Sequence, residues 1–96
     1  MNLNLNYEEF KDYLLKRKLL FDGVQYLFRF PNNYGASIVK HLGSYGSSRD
    51  LWELAVIYFD GDEWDLTYDT EITGDVEGYL TDQDVLELLR RIQALK

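Results

Sequence analysis

"VQYLFRFPNNYGASIVKH", residues 24–41, decides the fold of this chain. Val24, Tyr26, Phe28 and Phe30 alternate with Gln25, Leu27 and Arg29, the two-residue period of a strand with one buried face. Pro31 ends the run, and Asn32-Asn33 can take the positive φ that a two-residue hairpin turn requires. The chain then returns from Tyr34 as a second strand. With a two-residue turn, Gly35 and Ser37 face Phe30 and Phe28 across the ladder, setting small residues beneath large rings.

The flanking segments extend this hairpin. "LWELAVIYF" (51–59) is apolar at nearly every position, the pattern of a central strand covered on both faces. "DGDE" (60–63) is a turn into "WDLTYD" (64–69), read as a strand with Trp64, Leu66 and Tyr68 inward and acids outward. Residues 70–79 are irregular, with Ile72, Val76 and Tyr79 as anchors onto the core. A final helix starts at the cap Thr81, with Asp82 and Asp84 in its first turn and Leu80 stapled to Val85. Its buried stripe is Val85, Leu88, Leu89, Ile92 and Leu95.

Ahead of the hairpin, Asn6 opens a first helix and Glu9 completes a capping-box-like pair. Tyr7, Phe10, Tyr13 and Leu14 recur along it, the bases of "KRK" (16–18) suit its C-terminal end, and Gly23 stops it. The expectation is a single α+β domain over residues 1–96. It is a four-stranded antiparallel β-meander packed with an N-terminal and a C-terminal helix.

Composition excludes several chemistries. No cysteine is present, so neither a disulfide framework nor a thiolate metal site is possible. With His41 the only imidazole, zinc would have to rest on carboxylates, and no metal or other cofactor is expected. A run of about 20 apolar residues, as a membrane span needs, is absent. "MNLNLNYEEF" lacks the basic start and apolar run of a signal peptide, which sets the expectation of a cytoplasmic protein. At 46% apolar and 16% aromatic, the chain is too rich in core-forming residues for disorder.

Charge is the most informative compositional feature. Residues 1–49 hold seven Lys/Arg against four Asp/Glu, a net of +3, whereas residues 50–96 hold three against thirteen, a net of −10. From Asp50 to Leu89 there are thirteen acids and no base. Such a field repels nucleic-acid phosphates, which disfavours direct nucleic-acid binding. It attracts and steers proteins that handle nucleic acid. The candidate partner surface is Asp60, Asp62, Glu63, Asp65, Asp69, Glu71, Asp75 and Glu77. "KRK" is a candidate for a weak contact with an anion, although bases at a helix C-terminal end explain it more simply.

"DGDEWDLTYDTE" (60–71) has Asp60, Asp62 and Glu71 at EF-hand positions one, three and twelve, but Trp64 and Asp65 occupy positions five and six, where an oxygen ligand and glycine belong. His41 with Ser37, Ser44, Ser47 and Ser48 has neither a G-x-S-x-G elbow nor a serine at a strand-to-helix turn, so no catalytic residue is assigned and no enzyme is expected. The loop "HLGSYGSSR" could hold an anionic nucleotide with His41, Gly43, Ser44, Tyr45, Gly46, Ser47 and Arg49. It leads into a strand, however, whereas phosphate-binding glycine loops open a helix.

"LFRFPNNYGASIVKHLGSYGSSRDLWELAV" (27–56) and "YDTEITGDVEGYLTDQDVLELLRRI" (68–92) resemble small acidic proteins encoded by bacteriophages and prophages. The likeness runs from about Tyr26 to Ile92 and assigns no residue a role. It implies a viral protein acting in the host bacterial cytoplasm. The leading expectation is a non-enzymatic inhibitor that binds a host nucleic-acid-handling or anti-phage defence protein, including CRISPR effectors, through a DNA-mimic surface. The alternative is an oligomeric sponge for a nucleotide signal, held by the loop at 42–49. A third is a phage structural or assembly protein.

Overall fold

The computed structural model describes residues 2–20, 22–44, 46–72 and 76–96. It is an α+β protein with an antiparallel sheet in the order β1 (Leu14–Leu20), β2 (Gly23–Arg29), β3 (Tyr34–Lys40), β4 (Trp52–Asp60), β5 (Glu63–Leu66). A sixth strand, β6 (Glu77–Leu80), also pairs with β4, and α1 (Asp82–Gln93) closes the chain. β6 lies against Trp52 and Leu54 and β5 against Ile57 to Asp60, so the two share one long neighbour.

The meander of β2 to β5 is the one expected from the sequence, but the four-strand count is exceeded at both ends. The first helix is replaced by a 3-10 turn (Glu8–Tyr13) followed by β1. Leu, Lys and Arg favour helix by only a few tenths of a kcal/mol per residue. Pairing β1 with β2, in register from Lys16↔Leu27 to Leu20↔Gly23, outweighs that preference by covering an apolar strand that would otherwise be an edge. "KRK" therefore lies in an edge strand, not at a helix end. Asn6 does not cap; its N–H donates to Asp82 instead, at 3.3 Å.

The hairpin register differs from the expected one by a residue. Phe28 faces Ala36 and Arg29 faces Gly35. The connection has three residues, because Phe30 N–H donates to the Tyr34 carbonyl (2.8 Å) and Asn33 N–H to the Phe30 carbonyl (3.0 Å). Asn33 takes the left-handed position with φ 68°. Asn32 then reaches across to α1, its amide nitrogen donating to the carbonyls of Ile92 (2.9 Å), Gln93 (3.2 Å) and Leu95 (2.9 Å). The turn thereby satisfies carbonyls that the helix end leaves open.

One face of the sheet carries the core. Val24, Tyr26 and Phe28 align with Lys40, Ile38 and Ala36, and the last two with Leu54 and Val56. Trp52 and Phe30 complete it, and Val85, Leu86, Leu89 and Ile92 of α1 cover it. Burying these four side chains contributes roughly 1.5–3 kcal/mol each before chain entropy is counted. The stripe is rotated from the expected one: Leu86 is buried, while Leu88 and Leu95 lie half-buried at its margin. Thr81 caps as expected, its hydroxyl accepting from Asp84 N–H and its own N–H donating to the Asp84 carboxylate.

Residues 2–6 form a strap over this core. The buried Tyr26 hydroxyl accepts from Leu5 N–H (3.3 Å) and donates to the Leu3 carbonyl (2.9 Å). Asp82 accepts from the Trp52 indole at 2.8 Å. A bidentate ion pair from Arg90 to Glu9 (2.8 and 2.6 Å) ties the 3-10 turn to α1. The Arg90 guanidinium holds the Glu9 carboxyl below its ordinary value. On the opposite sheet face, β4 buries Ile57 and Phe59 with Leu27. The Arg29 guanidinium lies 4.6 Å from the centre of the Phe59 ring. β4 is thus buried on both faces, as its near-continuous apolar run predicts.

Candidate functional site

β5 ends the sheet at one side. Its register on β4, Asp60↔Glu63, Phe59↔Trp64, Tyr58↔Asp65 and Ile57↔Leu66, fixes which side chains share a face. Glu63 and Asp65 fall on the helix side, and Trp64 and Leu66 on the other. Gly61, at φ 64°, makes the tight turn between the strands.

The strand does not turn its apolar residues into the core as expected. Trp64 is 39% exposed, Leu66 38% and Tyr68 50%, and Tyr58 of β4 is 44% exposed. The alternating pattern is real, but Trp64 and Leu66 fall on the face away from α1, so alternation fixes the side and not the burial. The expected strand also stops at Leu66, short of Asp69. Four large, exposed apolar side chains therefore stand among carboxylates.

Of the candidate acids, Asp60, Asp62, Glu63, Asp65, Asp69, Glu71 and Glu77 are all exposed, and Asp75 lies outside the described residues. None of these seven forms an ion pair among the described residues. Among the described residues, Asp65 accepts only its neighbour Leu66 N–H, at 2.7 Å. β5 brings Glu63 and Asp65 together, with Asp60 and Asp62 at the turn. Glu77 sits apart on β6 opposite Leu54, six residues along β4 from Asp60, or roughly 20 Å at strand rise. There it borders a hollow of about 300 Å³ together with Asp84 and Glu87 of α1, two acids that spacing along the chain does not connect with it. The acid surface runs along one side of β4 instead of forming a single cluster. Among the described residues, no three His, Asp or Glu side chains converge as metal ligands.

The loop at 42–49 is held mostly by its own groups. Ser44 hydroxyl donates to the His41 carbonyl (2.8 Å) and accepts from His41 N–H (3.0 Å). Ser47 hydroxyl donates to the Leu42 carbonyl at 3.4 Å, and Gly43 N–H donates to His41 Nδ1 at 3.1 Å. Ser44, Gly46 and Ser47 are buried, whereas Leu42, Gly43, Ser48 and Arg49 are exposed, so the connection is partly packed down. Gly46 has φ 95°, and a Cβ there would meet the Tyr79 backbone at 2.9 Å. Arg49 lies exposed over the Tyr79 ring, and Tyr45 is outside the described residues. Tyr79 itself is 56% exposed with φ 58°, so Leu80, not Tyr79, anchors this part of the chain.

Lys40, which in sequence stands beside the loop, is buried at 2% exposure. Its ammonium donates to the Asn2 carbonyl (2.7 Å) and to Asp50 (3.1 Å) and lies 4.1 Å from the Trp52 ring centre. Asn2 N–H and then Lys40 hold the Asp50 carboxyl below its ordinary value. This lysine fastens the strap and is not presented to an anion.

Comparison with protein-family models, curated proteins and solved structures gives no match. What defines the protein is its α+β architecture and an acidic, partly apolar sheet edge. Among the described residues, no helix is long and apolar enough to cross a membrane.

Proposed function

We propose that the protein is a non-enzymatic binding protein whose β4–β5 edge docks onto a basic surface of a nucleic-acid-handling or defence protein and inhibits it. The observation that carries this reading is the set of exposed, unpaired carboxylates at Asp60, Asp62, Glu63 and Asp65 interleaved with exposed Tyr58, Trp64 and Leu66. Carboxylates supply steering and choice of partner, and the aromatic and aliphatic groups supply desolvated contact area. A strand kept acidic only for solubility needs no exposed tryptophan between its acids. The bacteriophage setting rests on the sequence resemblance.

The loop at 42–49 supports the nucleotide-sponge alternative less well. Both buried serine hydroxyls bond within the loop, and Lys40 is engaged elsewhere.

The test is competition. The protein should displace duplex DNA from its captured host partner, with affinity falling tenfold or more as salt rises from about 50 to 300 mM. Reversing Asp60, Asp62, Glu63 and Asp65 to lysine should abolish displacement while the circular dichroism spectrum is retained. Binding that ignores salt and survives the reversal would remove this reading.

A further inference from the structure

The two ends of the sheet are both open and carry opposite charge. β1 pairs only with β2, and its outer edge is free among the described residues. Leu15, Lys16, Arg17, Lys18 and Leu19 are all exposed there, with Leu15 at 54% and Leu19 at 66%. None of the three bases has an ion-pair partner among the described residues; Arg17 donates only to the Tyr26 hydroxyl, at 3.0 Å. The other end, β5, presents Glu63 and Asp65 with Trp64 and Leu66.

We infer that β1 of one copy accepts β5 of a second copy by strand addition, giving head-to-tail self-association. Three observations select this occupant. First, β1 has no strand on its outer side among the described residues, and beyond the irregularity at Leu14–Lys16 its run to Leu20 is a template for another strand. Second, like edges repel: β1 on β1 sets three bases against three, and β5 on β5 sets acids against acids. Only the unlike pairing brings opposite charges together.

Third, the faces match. Arg17 aligns with Tyr26 on the helix side of the sheet, the side that holds Glu63 and Asp65 on β5. Lys16 and Lys18 align with Leu27 and Gln25 on the opposite side, which on β5 holds Trp64 and Leu66. A sheet continued through the junction places the guanidinium in the carboxylate row and the ammonium groups in the row of the indole. The pairing is heterologous, so it propagates or closes into a ring and does not stop at a two-fold dimer. β5 has only four residues, so the contact is small and the affinity low. Self-association would cover the edge that the proposed function uses, but the inference stands on β1 and does not require that function.

Sedimentation velocity across a concentration series tests it. At about 10 mM salt the weight-average mass should climb past the dimer as concentration rises. It should return to the 11.4 kDa monomer near 1 M, where the Debye length falls from about 30 to 3 Å. The triple variant Lys16→Glu, Arg17→Glu, Lys18→Glu should remain monomeric, as should Glu63→Lys with Asp65→Lys. Mixed together the two should associate, because each then meets an edge of opposite charge.

A mass that stops at the dimer, or a mixture that stays monomeric while both variants keep the wild-type circular dichroism spectrum, overturns the inference. The β1 variant leaves every acid of the β4–β5 edge in place. If it is monomeric but still displaces DNA from the partner, self-association and partner binding are separated. Loss of DNA displacement in wild type, with association intact, removes the proposed function alone.

Discussion

Replacing Lys40 with methionine removes a buried charge while keeping the length of its stem. The lost ammonium donates to the Asn2 carbonyl, pairs with Asp50 and faces the Trp52 ring. A charge-assisted hydrogen bond contributes about 1.5–3 kcal/mol and a desolvated cation–π contact up to about 2. The pair with Asp50, whose side chain is 49% exposed, contributes at most about 1 kcal/mol. Against these stands the desolvation of the ammonium, which methionine avoids and which amounts to several kcal/mol in a protein interior. The methionine variant also leaves the Asn2 carbonyl without its donor. The expected balance is a loss of about 2 kcal/mol, read as a fall in Tm of roughly 8–16 °C for a domain of this size.

Urea and thermal unfolding give the global figure. Amide exchange at Leu5 and Asn6 gives a local one, because loosening of the strap should expose their N–H groups before the sheet opens. If the methionine variant is as stable as the native chain and residues 2–6 keep their protection, Lys40 does not fasten the strap. Its desolvation would then equal all that its contacts contribute.

The Asp50 carboxyl is held below its ordinary value in the folded protein, so its ionised form favours folding. That contribution is complete above the unfolded carboxylate pKa of about 4 and is lost as pH falls through the lower folded value. The stability gap between native protein and Asp50→Asn should therefore narrow as pH is lowered below 4, and a gap constant with pH would contradict this. Asn32→Ala removes the donor to three carbonyls at the end of α1 and should destabilise by about 2 kcal/mol in urea unfolding; a change near zero would mean that water replaces it fully. At Gly35 a Cβ would meet the Phe28 carbonyl oxygen and come 3.1 Å from the Phe59 ring, so Gly35→Ala should cost about 3 kcal/mol or more. At Gly61 the space is open and only the positive φ resists a side chain, so Gly61→Ala should cost about 1–2 kcal/mol. Equal losses at the two glycines would refute the packing argument.

The sequence alone determined the meander of β2 to β5, the helix α1 with its Thr81 cap, and the acidic character of the second half. Each rests on a local cause: side-chain alternation, a capping pair and an uninterrupted count of carboxylates. Tertiary structure decided what local rules leave nearly balanced. "LLKRKLL" (14–20) has no strong period, and its small helical preference yields to the ladder that β2 offers. The hairpin at 31–33 takes a third residue, with Asn33 left-handed, while the Asn32 amide meets carbonyls some sixty positions away.

The same division holds at the candidate site. Alternation placed Trp64 and Leu66 on one side of β5, but that this side is the face away from α1, with nothing laid over it among the described residues, is encoded by no local pattern. The loop at 42–49 reads as open from its glycines and serines. It is partly packed because the Ser44 and Ser47 hydroxyls find backbone partners at His41 and Leu42, while the neighbouring Lys40 turns away to Asn2 and Asp50. Local spacing fixes which residues face together, and only the packed chain fixes which of those faces meet water.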